Sequence, residues 1–142
     1  SRAKARAYAN KLADNQLLIT ADTIVWCNGK MLGKPADEQE ARQMLQMLSN
    51  NTHQVYTAVT LVTKNGEVDA FVDRTDVTFR ELNDNEIDFY IANCHPMDKA
   101  GAYGIQEWIG YTACTHLDGS YFNVMGFPTH RLYEILKEKG CI

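Results

Sequence analysis

An acidic residue interrupts an apolar segment near the start of the chain. Asp22 lies within the segment 17–27, where most other side chains are apolar or β-branched. Because burying an isolated charge is very costly, a carboxylate in a buried strand must be paired, protonated or bound to a metal ion. Such an aspartate can serve as a general base or a metal ligand. The alternative is a strand-end aspartate bonded to backbone amides, and the segment alone leaves both interpretations open.

A lysine in a stiff turn is a candidate for binding phosphate. Lys34 stands between Gly33, which lets the backbone approach a ligand closely, and Pro35, which fixes the direction of the chain. A lysine held on such a stiff turn would be a good phosphate donor, whereas Lys4, on the first predicted helix, is a surface charge by default. Both residues also fit solvated surface lysines, so neither identifies a site by itself.

The most informative stretch is the segment 98–106, DKAGAYGIQ. It places Asp98 and Lys99 beside two glycines, which permit close backbone approach to a ligand. Lys99 can neutralise phosphate charge, and the amide of Gln106, which both donates and accepts, suits the edge of a nucleobase. The alternative is a polar surface loop, although loops of this composition are more often functional than charged helix faces.

The composition excludes several classes of protein. The chain has 142 residues, a net charge of −4 and no basic stripe, so we expect one domain and no nucleic-acid partner. We expect no membrane partner, because no apolar run approaches the ~20 residues of a membrane span. We also expect no signal peptide. The four cysteines form no Cys-x-x-Cys pair, which favours free thiols and a cytoplasmic location.

The elements that must position these residues are strands mixed with helices. The predicted strands cover 17–27, 55–61, 67–79 and 111–117. The predicted helices cover 2–13 and begin near Asp37, Asn83 and Pro128. Asn28-Gly29 predicts a hairpin turn, whereas the segment 97–110 shows little regular pattern. The four histidines are scattered and are interpreted as structural or surface residues. This order predicts a mixed-sheet α/β or α+β domain.

Several segments are more informative in combination and in this order than any one of them is alone. They are 21–25, 32–35, 40–57, 75–79, 98–106 and 119–128. Together they resemble the Maf family of nucleoside triphosphate pyrophosphatases over nearly the whole chain, and 98–106 is the most specific part. The resemblance implies an α/β fold related to the inosine triphosphate pyrophosphatases, with a long twisted mixed β-sheet flanked by helices and a cleft between two lobes.

The resemblance also implies a reaction and residue roles. Family members convert a nucleoside triphosphate and water to the monophosphate and pyrophosphate with a divalent metal ion, Mg²⁺ or Mn²⁺, and are commonly homodimers. Asp22 matches the proton acceptor, and we also assign it as the metal ligand. The matching substrate-binding positions are Lys4, Thr23, Lys34, Asp98, Lys99 and Gln106. The family's N-terminal strand and Ser-Pro-Arg-Arg loop have no counterpart in this sequence, so we expect a single domain over 1–142 without them.

The resemblance further favours particular substrates. Family members that act on dTTP and UTP look like Ile105-Gln106 after the Gly104 turn, which this chain shares. The first alternative is a pyrophosphatase for 7-methyl-GTP or another modified nucleotide. The second is a nucleotide-binding regulator of cell division that performs no catalysis.

Overall fold

One five-stranded sheet organises the computed structural model, which describes residues 1–142. The strands are β1 (Leu18–Cys27), β2 (Lys30–Leu32), β3 (Thr52–Thr63), β4 (Gly66–Phe79) and β5 (Cys114–Asp118). The helices are α1 (Arg2–Ala9), α2 (Glu38–Leu48), α3 (Asp84–Cys94), α4 (Trp108–Ala113), α5 (Tyr121–Met125) and α6 (Thr129–Glu138). Two single 3₁₀ turns, Pro96–Asp98 and Ala100–Ala102, lie between α3 and α4. None of the helices is both long enough and apolar enough to cross a lipid bilayer.

The predicted α/β architecture of a sheet flanked by helices is confirmed, but the sheet is not mixed. Its strand order is β2-β1-β3-β4-β5, and all four pairings are antiparallel. Hairpins join β1 to β2 and β3 to β4, and α2 carries the chain across before β3 returns beside β1. Asn28 and Gly29 have φ angles of 52° and 73°, the left-handed values that a tight hairpin turn requires.

The helices α2 and α3 begin where their capping signals predict. The Asp37 carboxylate accepts a 2.8 Å hydrogen bond from the Glu40 backbone N–H. Asn83 and Glu86 form a reciprocal capping box, which satisfies free N–H groups at the start of α3. The apolar stripe of α2 is fully or nearly fully buried, as its spacing predicts, and consists of Ala41, Met44, Leu45 and Leu48.

Two hydrophobic clusters cover separate parts of one face of the sheet. The larger has 19 buried residues and packs α2, α3 and the segment 102–113 against the strand residues Val25 and Phe79. The smaller packs Leu132 and Ile135 of α6 against Val59 on β3. This division leaves polar strand residues between the two packed bodies, and the candidate site lies there.

Two segments differ from their predicted secondary structure. α1 ends at Ala9, because the next turns close over three residues, as in the Leu12 N–H to Ala9 carbonyl bond. The predicted strand 111–117 begins as helix α4 and becomes β5 only at Cys114. Ile109 and Ala113, four residues apart on one helical face, are both buried, whereas Tyr111 is 81% exposed. Burial of that face therefore outweighs the strand preference of Tyr111.

Candidate active site

A cleft of about 380 Å³ brings together six of the seven predicted site residues. They come from β1, from the turn after β2 and from the 98–106 segment, and are Asp22, Thr23, Lys34, Asp98, Lys99 and Gln106. The seventh, Lys4, does not line the cleft but donates a 3.3 Å hydrogen bond to Asp22 Oδ1. The site is thus assembled from separate elements on both sides of one depression.

Asp22 reaches the cleft from an open edge of the sheet. β2 pairs only with Val25–Cys27, so the preceding part of β1 has no neighbour on that side. Consecutive strand residues point to opposite faces, yet both Asp22 and Thr23 line the cleft at this edge. The Asp22 side chain is 56% exposed. The edge position therefore keeps the carboxylate accessible to water, and the cost of burying an isolated charge does not arise.

Lys4 supplies the nearest side-chain cation to Asp22. Its ammonium group donates to Asp22 Oδ1 at 3.3 Å and to the Ala21 carbonyl at 3.2 Å. Both partners of the ion pair are 56% exposed, so it contributes little to the free energy of unfolding. Its effect is local, because it places positive charge beside the carboxylate at the edge of the cleft.

Thr23 joins a buried polar belt that separates the two hydrophobic clusters. Its hydroxyl lies 2.8 Å from that of Thr57 on the paired strand. The Thr57 hydroxyl donates to the Asn123 carbonyl at 3.0 Å, and the Asn123 amide donates to the Thr75 hydroxyl at 3.0 Å. Because the single Thr57 hydrogen is used on Asn123, Thr23 is the donor to Thr57. The Thr23 oxygen therefore offers a ligand only acceptor capacity.

The segment 98–106 is pressed against β1 by its backbone. Gly101 has a φ of 71°, and a Cβ there would lie 3.0 Å from Val25. The Gly101 N–H donates to the Gly33 carbonyl at 3.1 Å, which ties this segment to the turn that carries Lys34. Ala102, which is buried, has a φ of 60°, a conformation that costs a non-glycine residue ~1–3 kcal/mol. Surrounding contacts must therefore hold the segment in this shape.

A buried hydrogen bond between Tyr103 and His53 is one such contact. The Tyr103 hydroxyl lies 2.6 Å from His53 Nε2, and both rings make edge contacts with Phe79. Burial lowers the pKa of His53 to about 4, so the imidazole is neutral near pH 7. Burial also raises the pKa of Tyr103, so its hydroxyl keeps its proton. His53 anchors a cleft-lining residue, in keeping with the structural role expected for it.

Lys99 is flanked by two carboxylates of different exposure. Its ammonium group lies 3.2 Å from Asp98 Oδ1 and 3.1 Å from Glu107 Oε1. Burial acts to lower the pKa of Lys99, but the hydrogen bonds to Glu107 and Asp98 outweigh it and the net shift is upward. The hydrogen bond from Lys99 holds the pKa of Asp98 below its ordinary value. The cleft therefore keeps a permanent cation here.

The residues of the cleft fit a metal ion that is shared with phosphates. No group of three histidine, cysteine or acidic side chains gathers into a metal-binding cluster. Mg²⁺, however, is usually held by one or two carboxylates, several waters and substrate phosphates rather than by a protein cage. Asp22 and Asp98 are both exposed carboxylates on the same cleft, so they suit that mode of binding.

Two features of the site were missed in the sequence. Residues 124–126 also line the cleft, because the buried polar belt holds α5 against the sheet. Glu107 contacts Lys99, and the hydroxyl of Tyr90 on α3 contacts Glu107. The polar end of a tyrosine on an apolar helix face was the available signal, since a buried hydroxyl needs a partner.

Comparisons with known proteins agree with the geometry. The sequence model of the family described as Maf-like protein matches residues 1–139. A curated protein of Phocaeicola vulgatus named dTTP/UTP pyrophosphatase is 56% identical over 135 residues, which cover 95% of this chain and 69% of that protein. The protein of the same name from Porphyromonas gingivalis is 51% identical over 142 residues, covering 99% of this chain and 71% of the relative. That of Flavobacterium johnsoniae is 50% identical over 133 residues, covering 94% and 68%.

Proposed function

The chain belongs to the Maf-like protein family, and from that premise we propose that it hydrolyses dTTP and UTP to the monophosphate and pyrophosphate. The observation that carries this proposal is the convergence of Asp22, Lys34 and Lys99 in one cleft. A carboxylate that activates water and cations that meet phosphate oxygens are the groups this reaction needs. The relatives named dTTP/UTP pyrophosphatase support the choice of substrate.

Each side chain has a role in the proposed mechanism. Asp22 accepts a proton from a water molecule that attacks the α-phosphorus, and pyrophosphate leaves. Lys34 and Lys99 bind the β- and γ-phosphates and stabilise the leaving group. A divalent metal ion, bound by Asp22 and the phosphates, would supply further charge neutralisation. Phosphoryl transfer requires little beyond positioning and electrostatic stabilisation, and the rigid strand and anchored loop provide both.

The hydrogen-bonding capacity of the cleft suits a thymine or uracil base. Thr23 offers an acceptor, because its hydrogen is directed to Thr57. Gln106 is exposed in the same cleft and offers a donor and an acceptor. Thymine and uracil present an N–H group between two carbonyl oxygens, which matches one acceptor combined with one donor. This complementarity is consistent with dTTP and UTP, and the names of the relatives favour them over guanine nucleotides, which also present an N–H beside a carbonyl oxygen.

A panel of nucleotides tests the proposal. The protein is incubated with dTTP, UTP, 7-methyl-GTP, GTP and ATP in Mg²⁺ or Mn²⁺, and the products are separated by liquid chromatography. We expect TMP or UMP with pyrophosphate from the first two and at least about tenfold less product from the others, which is a discrimination of ~1.4 kcal/mol. Faster turnover of 7-methyl-GTP would support the modified-nucleotide alternative. UTP binding without hydrolysis would support the non-catalytic regulator.

A homodimer and a cytoplasmic location are further parts of the proposal. Ile24, Trp26 and Val72 are 38%, 40% and 54% exposed on the face of the sheet opposite the two hydrophobic clusters. Contiguous exposed apolar side chains commonly mark protein interfaces. Light scattering should therefore give twice the mass of one chain, and a monomeric mass at micromolar concentration would contradict the homodimer. The four free cysteines support a reducing compartment.

A further inference from the structure

We propose that Glu107, held by Tyr90, is a positioning residue that fixes the ammonium group of Lys99 in the cleft. The inference rests on the proposed function only in taking Lys99 as a ligand of the substrate phosphates. It concerns a chain of contacts that leads from the hydrophobic core to the cleft.

Tyr90 begins this chain of contacts inside the larger hydrophobic cluster. The residue is fully buried on α3, and its hydroxyl donates a 2.7 Å hydrogen bond to Glu107 Oε2. The Tyr90 hydroxyl oxygen in turn accepts a 3.0 Å hydrogen bond from the Gly104 N–H. A tyrosine hydroxyl has a single hydrogen, so the two bonds together assign it to Glu107. Burial raises the pKa of Tyr90, which keeps that hydrogen in place.

Glu107 uses its two oxygens in opposite directions. Oε2 receives the Tyr90 hydrogen bond, and Oε1 lies 3.1 Å from the Lys99 ammonium group. Glu107 is 25% exposed and Lys99 is 33% exposed, whereas Asp98, the other acid on Lys99, is 77% exposed. An exposed partner contributes little and is free to move. The anchored Glu107, rather than Asp98, is therefore the group that can fix Lys99.

Gly104 provides the space that this pair occupies. A Cβ at this position would lie 2.9 Å from Glu107 Oε1 and 2.9 Å from Lys99 Cε. The backbone thus passes directly over the ion pair, and its N–H contacts the Tyr90 hydroxyl. Tyr90, Glu107 and Lys99 are thus linked by successive contacts beneath Gly104, so a displacement of Glu107 should also displace Lys99.

A double-mutant cycle tests the proposal by activity. Glu107→Gln keeps the size of the side chain and removes its charge, and Lys99→Met removes the ammonium group. We expect Glu107→Gln to lower kcat/KM for UTP about tenfold, within the range measured for contacting residues, and to have almost no further effect in Lys99→Met. Glu81→Gln, an exposed acid outside the cleft, is the matched control and should leave kcat/KM unchanged. If the two substitutions lower kcat/KM independently, so that their fold-effects multiply in the double variant, the proposal is overturned.

A second measurement does not depend on turnover. Acetylation of Lys99 by acetic anhydride is followed across pH by peptide mass spectrometry in the wild type, Glu107→Gln and Tyr90→Phe. Loss of the carboxylate contact should lower the apparent pKa of Lys99 and speed its modification, more in Glu107→Gln than in Tyr90→Phe. An unchanged profile in both variants would refute the proposal. A wild type that hydrolyses no triphosphate would refute the proposed function, and the labelling would still judge the role of Glu107.

Discussion

The two walls of the cleft are positioned in different ways. On β1, the ladder to β3 places Asp22 opposite Ala58 and Thr23 opposite Thr57, so backbone hydrogen bonds fix this wall and leave the Asp22 side chain exposed. The 98–107 wall has no ladder and is held by the buried hydroxyls of Tyr90 and Tyr103. A regular element thus needs little side-chain support, whereas a loop that presents a cation needs buried polar anchors. Substitutions on the strand wall should therefore change mainly turnover, whereas substitutions on the loop wall should also change the free energy of unfolding.

The largest expected effect is on the strand wall. Asp22→Asn preserves the shape of the side chain and removes the proposed base, so turnover of UTP should fall by ~10²–10⁴-fold. Because the side chain is 56% exposed, the free energy of unfolding should change by less than about 0.5 kcal/mol. Steady-state kinetics and urea denaturation measure the two quantities. Asp14→Asn, at an acid that is 89% exposed, is the control. Wild-type turnover in Asp22→Asn would show that Asp22 is not the general base.

On the loop wall, the buried His53 should make the free energy of unfolding depend on pH. His53 has a pKa of about 4 in the folded protein against an ordinary value of 6.5, so between these values the unfolded chain binds a proton that the native state does not. The stabilisation that neutral His53 contributes to the folded state is therefore present above pH 6.5 and is lost as the pH falls towards 4. Relative to His53→Gln, the wild type should lose on the order of 2–3 kcal/mol between pH 7 and pH 4.5.

Urea denaturation at several pH values measures this difference. His130→Gln is the matched control, because His130 is exposed on α6 and should leave the pH dependence of the wild type intact. If the wild type and His53→Gln lose the same free energy over this range, His53 is not a neutral buried anchor of the loop.

A smaller loss of stability is expected when the Tyr103 hydroxyl is removed. Tyr103→Phe leaves the buried His53 ring without its 2.6 Å partner, and an unsatisfied buried polar group costs ~1–3 kcal/mol. Because Tyr103 also lines the cleft, kcat/KM for UTP should fall in the same variant. This joint effect contrasts with Asp22→Asn, where only turnover changes. An unchanged free energy of unfolding would show that the Tyr103 hydroxyl does not support the loop wall.

The smallest effect overall is expected for Lys4→Met. Its ion pair with Asp22 is exposed on both sides, so the free energy of unfolding should change by less than about 0.5 kcal/mol. Any effect should appear in the KM for UTP, because the lysine adds positive charge where an anionic substrate approaches Asp22. Measuring KM at low and high ionic strength checks this, since salt screens an exposed charge. A large loss of stability would show that Lys4 supports the fold instead.

Much of the strand wall was predictable from local patterns, and much of the loop wall was not. The β1 segment, the Asn28-Gly29 turn and the caps of α2 and α3 follow from neighbouring residues. The exposure of Asp22 depends on where β2 stops pairing, which periodicity does not reveal. The link between Tyr90 and Glu107 joins residues 17 positions apart through the fold, so each looked ordinary in the sequence.

In the proposed mechanism, Asp22 directs water to the α-phosphorus of a bound triphosphate. Hydrolysis of UTP in ¹⁸O-labelled water, with mass spectrometry of both products, tests this step. We predict one ¹⁸O atom in UMP and none in pyrophosphate, at a rate that falls in Asp22→Asn. Label in pyrophosphate, or release of UDP and inorganic phosphate, would contradict it, because water would then have attacked a different phosphorus atom.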